Sequence, residues 1–364
     1  MHTPSLWQQL PANGRAFIRF WGGCATAAVA LAIGLQVMGP PGLSIEGQDI
    51  DVSADSAAKQ SSPAQRTTIP GPQADLLESK NGPGGFPLPK VGAHDRTPKK
   101  VYAAPAVDVP PGTPMVALLI DGIDQTDELT TEAINALPGP VSLGISPYAA
   151  NPEELMNAAR QHRHETLLSL PIQDNASKNT DAGPKALGLL LSPQQNMDNL
   201  NWALSHLAGY VGVTNAFAGQ NGGSFPQSEN FKSLVKAIDQ RGLLYLDATP
   251  GTQAEGASSA ATADVVVNTD TDIVNIDIQL LKLQQMARQN GRAIGILGPL
   301  RPVAMACLRA WLPHLKDMGI ALVPVSQIVL PPDMSAYGPA AADGSMHVNL
   351  SNPRVQQQQG QPQQ

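Results

Sequence analysis

Val116-Ala117-Leu118-Leu119-Ile120-Asp121-Gly122 decides how this chain is read. An unbroken apolar run, without polar alternation, marks a strand covered on both faces. Similar runs recur at Val141–Ile145, Thr166–Leu170, Leu243–Leu246 and Ala293–Leu297, separated by stretches with helical patterning. Asn151-Pro152 and Ser192-Pro193 each read as a cap followed by proline at the first helical position. Asn290-Gly291 reads as a helix stop. Repeated strand–helix units predict an α/β fold with a mainly parallel sheet. Closure into a (β/α) barrel of about seven strands is the expectation, with an open parallel α/β sheet as the alternative. No Gly-x-Gly-x-x-Gly follows the first run, which counts against dinucleotide binding.

Working outward from that domain, the composition changes on both sides. From Trp21 to Ile45 there is no charged residue, and Trp21–Met38 is about long enough to cross a bilayer as a helix. Arg15 and Arg19 precede it, while Glu46, Asp49 and Asp51 follow. This bias predicts residues 1–20 in the cytoplasm, an anchor at 21–38 and everything later outside. The expected location is the inner membrane, single-pass, with a periplasmic C-terminal domain; the alternative is a cleaved signal and release into the periplasm. Residues 39–113, rich in Pro, Gly, Ser and Ala, read as a disordered linker. Residues 114–330 form the patterned domain, and 331–364 read as a disordered glutamine-rich tail. The net charge of -7 and the lack of a basic patch argue against a nucleic-acid partner. Of the two cysteines, Cys24 lies in the uncharged segment. Cys307 shares a helical face with Val303, Trp311 and Met318 and reads as a core residue.

In a barrel of this kind, chemistry sits at the C-terminal ends of the strands. Those positions carry Asp121, Ser169, Asn215, Asp247 and Gly298, and none is histidine. The candidate catalytic residues are therefore the carboxylates Asp121 and Asp247. Asn215, Tyr148 and Asp124 are candidates for substrate binding. Each also has a structural reading, because Asp and Asn commonly cap helices and bond local amides. Only 4% of residues are aromatic, so Tyr148, Phe217 and Trp202 are the nearby candidates for stacking on a sugar.

Several phrases carry a resemblance. Leu137-Pro138-Gly139-Pro140-Val141, Pro147-Tyr148-Ala149, His164-Glu165, Trp202-Ala203-Leu204, Val211-Gly212-Val213 with Asn215, Trp311-Leu312-Pro313 and Leu322-Val323-Pro324-Val325-Ser326 together resemble the divergent polysaccharide deacetylase family. The resemblance implies a barrel with one strand fewer than eight and a carbohydrate-related role outside the cytoplasm. It also implies a divalent metal such as zinc, but the ligand pattern departs from the family's. The family's Asp-Asp pair reads Asp121-Gly122, its His-Leu-Pro reads Ser169-Leu170-Pro171, and its following acidic residue reads Gln173. Its Asn-Asn-His-Met-Gly-Ser stretch reads Thr214-Asn215-Ala216-Phe217-Ala218-Gly219, and its Asp-Ser-Arg reads Asp247-Ala248-Thr249. Its late Gly-His-Pro reads Leu297-Gly298-Pro299. Asp121, Asn215 and Asp247 survive, with His164 in a supporting position.

Catalytic zinc needs about three protein ligands and an open position for water. Replacing imidazoles by Ser169, Ala216 and Gly298 removes those donors, so no metal site and no cofactor are expected. The leading expectation is a non-catalytic family member of the cell envelope that binds a glycan or an envelope protein. One alternative is an active carbohydrate esterase with an altered site around Asp121 and Asp247. The other is a membrane-tethered scaffold acting through its linker and tail.

Overall fold

The computed structural model describes residues 68–173 and 181–330. The expected anchor, the first part of the linker and the tail lie outside these residues. Among the described residues, no helix is long and apolar enough to cross a membrane.

The first strands among the described residues are an antiparallel pair, β1 (Leu77–Asn81) and β2 (Pro87–Pro89). Nine further strands form one parallel sheet. They are β3 (Met115–Ile120), β4 (Ser142–Ile145), β5 (Thr166–Ser169), β6 (Gly212–Thr214), β7 (Leu244–Asp247), β8 (Ala260–Thr262), β9 (Val265–Asn268), β10 (Arg292–Gly298) and β11 (Ala321–Val323). The spatial order is β8-β7-β6-β5-β4-β3-β10-β9, with β11 also paired to β3. Helices Asp127–Ala136, Pro152–Gln161, Pro193–Leu204, Glu229–Gln240, Ile273–Asn290 and Pro302–Asp317 alternate with the strands. This is the expected (β/α) barrel architecture, with more strands than the sequence suggested. β8 escapes the eye because Ala260-Ala261-Thr262 is neither strongly apolar nor alternating.

β8 and β9 end the path and do not pair with each other. The seam is spanned by the chain itself. Ala263 donates its amide to the Asp247 carbonyl at 2.8 Å, and the next residue, Asp264, donates its amide to the Ile294 carbonyl at 2.8 Å. Asp264 Oδ2 also accepts from the Ile294 amide at 2.7 Å. Two consecutive residues thus hold opposite edges of the sheet, and those edge amides find partners without a closing ladder.

Strand alternation divides the core into two layers. In β3, Val116, Leu118 and Ile120 pack outward against the helices. Ala117 and Leu119 pack inward with Leu167, Leu244, Leu246, Ile294 and Ile296. The filled interior is characteristic of small barrels. The register aligns the strand ends: Leu297 pairs Ile120, Thr214 pairs Ser169, Thr262 pairs Asp247 and Asn268 pairs Gly298.

The expected disorder of the whole 39–113 stretch needs correction for its latter part. Residues 68–113 pack on the barrel. Leu76 and Tyr102 are buried in the inner layer, and Leu88 in the outer one. Tyr102 Oη accepts from the Gln73 amide at 2.8 Å, and the Lys99 amide donates to the Gly242 carbonyl at 3.0 Å. Prolines and glycines hide this order from a composition reading, because each short piece is held by one apolar anchor rather than a periodic face.

The same segment helps satisfy a buried carboxylate at the N-terminal end of the strands. Glu165 Oε1 accepts from Ser142 Oγ at 2.8 Å and from the Ser326 amide at 2.9 Å. Its Oε2 accepts from the Ala104 amide at 3.0 Å and from Ser326 Oγ. Four donors from three distant stretches of chain converge on one side chain, which satisfies a group otherwise costly to bury.

Truncating Tyr102 to Ala should cost about 3–5 kcal/mol, as for other buried aromatic residues. Tyr102→Phe, losing only one hydrogen bond, should cost about 1 kcal/mol. Urea denaturation of both variants checks this. A silent Tyr102→Ala would mean the segment does not contribute to the core.

Candidate functional site

Asp121 follows β3 at an inward-facing parity, and Gly144, Ser169 and Gly298 take the matching inward positions on β4, β5 and β10. The Asp121 side chain is 1% exposed. Ser169 Oγ donates to its Oδ1 at 2.7 Å, and the Gly219 amide donates to its Oδ2 at 3.3 Å. The glycines make this closeness possible. A Cβ on Gly144 would lie 2.8 Å from Ser169 Oγ, and one on Gly298 would lie 2.9 Å from the Asp121 Cβ. Gly122, next in the chain, has φ 68, a left-handed conformation that favours glycine.

The Gly219 amide is delivered by a tight turn. Phe217 and Gln220 exchange both backbone hydrogen bonds at 2.9 Å, with Ala218 at φ 48 and Gly219 at φ 80 between them. Positive φ at Ala218 is unfavourable for a residue with a Cβ. The Asn215 side chain anchors the same loop through Nδ2 to the Asn221 carbonyl at 2.9 Å. The stretch after β6 therefore caps Asp121. A cavity of ≈ 180 Å³ opens beside it, lined by Asp121, Ala216, Gln220, Asn221, Ala248 and Pro250 among others.

Burial pushes the Asp121 carboxyl up to about 6, and the nearby Asp124 adds to this, while the Ser169 and Gly219 hydrogen bonds oppose it. The Asp124 carboxyl is also raised, again by burial, and its Oδ1 has no hydrogen-bond partner among the described residues. Asp124 does not line this cavity.

Asp247 takes the opposite parity. Leu244 and Leu246 face the inner layer and Tyr245 the outer, so Asp247 falls on the outer side with Tyr245. Its Oδ1 accepts from Asn215 Nδ2 at 3.2 Å and from the Thr249 amide at 2.9 Å, and its Oδ2 accepts from Thr252 Oγ1 at 3.1 Å. Asn215 Oδ1 accepts from the Ala248 amide at 2.6 Å. Asp247 lines a different cavity of ≈ 200 Å³ with Lys232, Tyr245, Thr252 and Glu255. The structure brings Asn215 and Asp247 together and leaves Asp121 and Asp247 on separate cavities. A two-carboxylate mechanism across one substrate finds no common chamber in this arrangement.

Tyr148 stands 37% exposed on the connection after β4. Its ring centroid lies 5.2 Å from Trp202 and 6.2 Å from Phe217, the latter edge-on. Its Oη accepts from the Lys185 amide at 3.0 Å. Three aromatic residues scattered in sequence thus form one cluster beside the turn that caps Asp121. His164 lies elsewhere. It precedes β5, is fully buried, and places Nδ1 2.8 Å from the Val141 carbonyl and Nε2 3.1 Å from the Ile134 carbonyl. Burial pushes its pKa down. It joins helix Asp127–Ala136 to the start of β4 and takes no part at the strand tips.

These residues do not fit zinc. The inward groups around Asp121 are a hydroxyl and glycines, and among the described residues no three His, Cys, Asp or Glu side chains form a metal-holding group. In sequence, Ser169 and Gly298 read only as losses. In the folded chain they act with Gly144 and Gly219 to create a new enclosure. Strand parity was the available signal, since positions 121, 144, 169 and 298 share the inward face.

A family model described as divergent polysaccharide deacetylase matches residues 118–329. A Haemophilus influenzae protein, itself described as uncharacterized, is 25% identical over 211 residues, covering 55% of this chain and 73% of its own. The crystal structure of an uncharacterized Agrobacterium tumefaciens protein superposes with a TM-score of 0.59 at 28% identity, covering 67% of this chain and 100% of that one. A family 4 carbohydrate esterase from Streptomyces lividans, solved in complex with acetate, aligns with a TM-score of 0.39 at 12% identity, covering 60% and 98%.

The folded chain holds the Asp121 proton up to about pH 6, whereas the ordinary value is 3.8. Stability from this group is complete below the unfolded value and is lost as pH rises through the folded one. Relative to Asp121→Asn, the native protein should lose up to about 3 kcal/mol between about pH 4 and pH 7. Urea unfolding across that window checks it, and a difference independent of pH would contradict the burial argument.

Proposed function

Because the chain belongs to the divergent polysaccharide deacetylase family, we propose that it is a glycan-binding member of that family that does not hydrolyse its ligand. One observation carries this reading. The carboxylate that stands where the family's Asp-Asp pair would be is bonded instead to Ser169 Oγ and the Gly219 amide, with glycine at the neighbouring inward positions. Hydroxide generation at neutral pH requires a metal held by several strong donors. Asp121, Ser169 and Gly219 satisfy one another and supply no such donor set.

Binding uses what remains. The cavity beside Asp121 is bordered by Gln220 and Asn221, whose amides both donate and accept hydrogen bonds as sugar hydroxyls do. Phe217 shares a tight turn with Gln220, and Tyr148 meets its ring edge-on, so the loop that borders the cavity also carries an aromatic face. Polar groups in a small cavity, on a loop that also bears an aromatic face, suit a sugar, which has hydroxyl edges and an apolar ring face. The protein acts in the cell envelope, anchored in the inner membrane through residues 21–38 with its barrel in the periplasm. The uncharged Trp21–Ile45 stretch and the arginines before it support that placement.

Equilibrium dialysis followed by metal analysis should find no stoichiometric zinc, and acetylated chitooligosaccharides should release no acetate. Calorimetry with the same oligosaccharides should show binding that Tyr148→Ala weakens by about fivefold. Chelator-sensitive acetate release would overturn the non-hydrolytic reading, and no detectable oligosaccharide binding would overturn the glycan-binding one. Alkaline phosphatase fused after Ile45 should be active in cells, and an inactive fusion would reject the periplasmic placement.

A further inference from the structure

A cavity of ≈ 330 Å³ lies away from the strand tips. One wall is helix Pro152–Gln161, from which Glu153, Met156, Asn157 and Arg160 point to the same space. Their spacing puts them on one helical stripe. The opposite wall includes Pro72, Leu77 and Phe86. Those residues precede the stretch matched by the family model, so the cavity is built by this chain's own N-terminal segment closing over a family helix.

Arg160 is the unusual member. It is 8% exposed, and burial pushes its pKa down against the opposing influence of Tyr102, with no carboxylate acting on it among the described residues. Its Nη2 donates to Asn157 Oδ1 at 2.9 Å, and its Nη1 reaches the Gly209 carbonyl at 3.5 Å. A guanidinium offers a planar fork of donors that suits a carboxylate, and buried charges are normally paired. The rest of the fork has no protein acceptor among the described residues. A mainly apolar cavity of at least about 300 Å³ with a few convergent polar groups is the usual form of a small-molecule site.

We infer that this cavity binds a monocarboxylate with a compact apolar body, its carboxylate on Arg160 and Asn157 and its body against Leu77, Phe86 and Met156. The charge pattern selects the class. A single cation with one amide beside it matches a monoanion. The exposed Glu153 on the same stripe repels a doubly charged phosphate more strongly.

The test is calorimetry on the full chain with hexanoate and phenylacetate, against hexanamide, phenylacetamide and inorganic phosphate. One of the two acids should bind saturably, with its amide at least about tenfold weaker, because the charge-assisted bonds are lost. Arg160→Met, with its fold checked by circular dichroism, should weaken the acid by a similar factor. Should that variant not fold, Glu153→Gln decides, since it alters an exposed rim residue and should tighten acid binding by about twofold to fivefold. No saturable acid binding by the native chain, equal affinity for acid and amide, tighter binding of phosphate, or an affinity unchanged by Glu153→Gln would overturn the inference.

Discussion

A carboxyl group closed off from water inside the mouth of a barrel must find partners or hold its proton. Asp121 does some of each. The Ser169 hydroxyl and the Gly219 amide are among the groups that reach it, and burial still raises its pKa to about 6. Those two contacts constrain much of the surrounding architecture. Gly144 and Gly298 can carry no side chain without striking Asp121 or Ser169. Gly219 must approach closely, so Ala218 accepts a positive φ to bring it there. The loop that delivers Gly219 also carries Phe217, Gln220 and Asn221, so the enclosure of one carboxyl shapes the neighbouring cavity.

The opposite end of the strands is organised by a second buried carboxylate. Glu165 collects donors from Ala104, Ser142 and Ser326. Ser142 begins β4 and Ser326 follows β11, the two strands that share β3 at different heights. A buried carboxyl inside a barrel is tolerated only when its oxygens are hydrogen-bonded, and satisfying it ties these strands to the N-terminal segment. That segment is therefore part of the fold. It supplies Leu76 and Tyr102 to the inner layer and one wall of the cavity under Arg160.

Asp121 and Asp247 look equivalent in sequence, since each ends a strand with an acidic residue. Their surroundings make them different. Asp121 shares the inward face with Ala117 and Leu119, whereas Asp247 shares the outward face with Tyr245. Asp247 is then used by Asn215, Thr249 and Thr252 to hold loops together. A strand has a period of two, so a single-residue difference in parity sends equivalent residues to opposite sides of the sheet.

Taken alone, the amino-acid sequence determined the alternation of strands and helices, the parallel sheet and the loss of imidazole at the strand ends. These are properties of local pattern and residue type, and unbroken apolar runs such as Val116–Ile120 carry them without reference to distant chain. Tertiary structure alone decided that Ala263 and Asp264 span an open seam, that residues 68–113 join the core, and that Tyr148, Trp202 and Phe217 meet. It also decided that Ser169 and three glycines enclose Asp121 rather than leave it open to solvent. Each of these depends on register and packing between residues far apart in the chain, where small differences in contact distance determine what a side chain can reach.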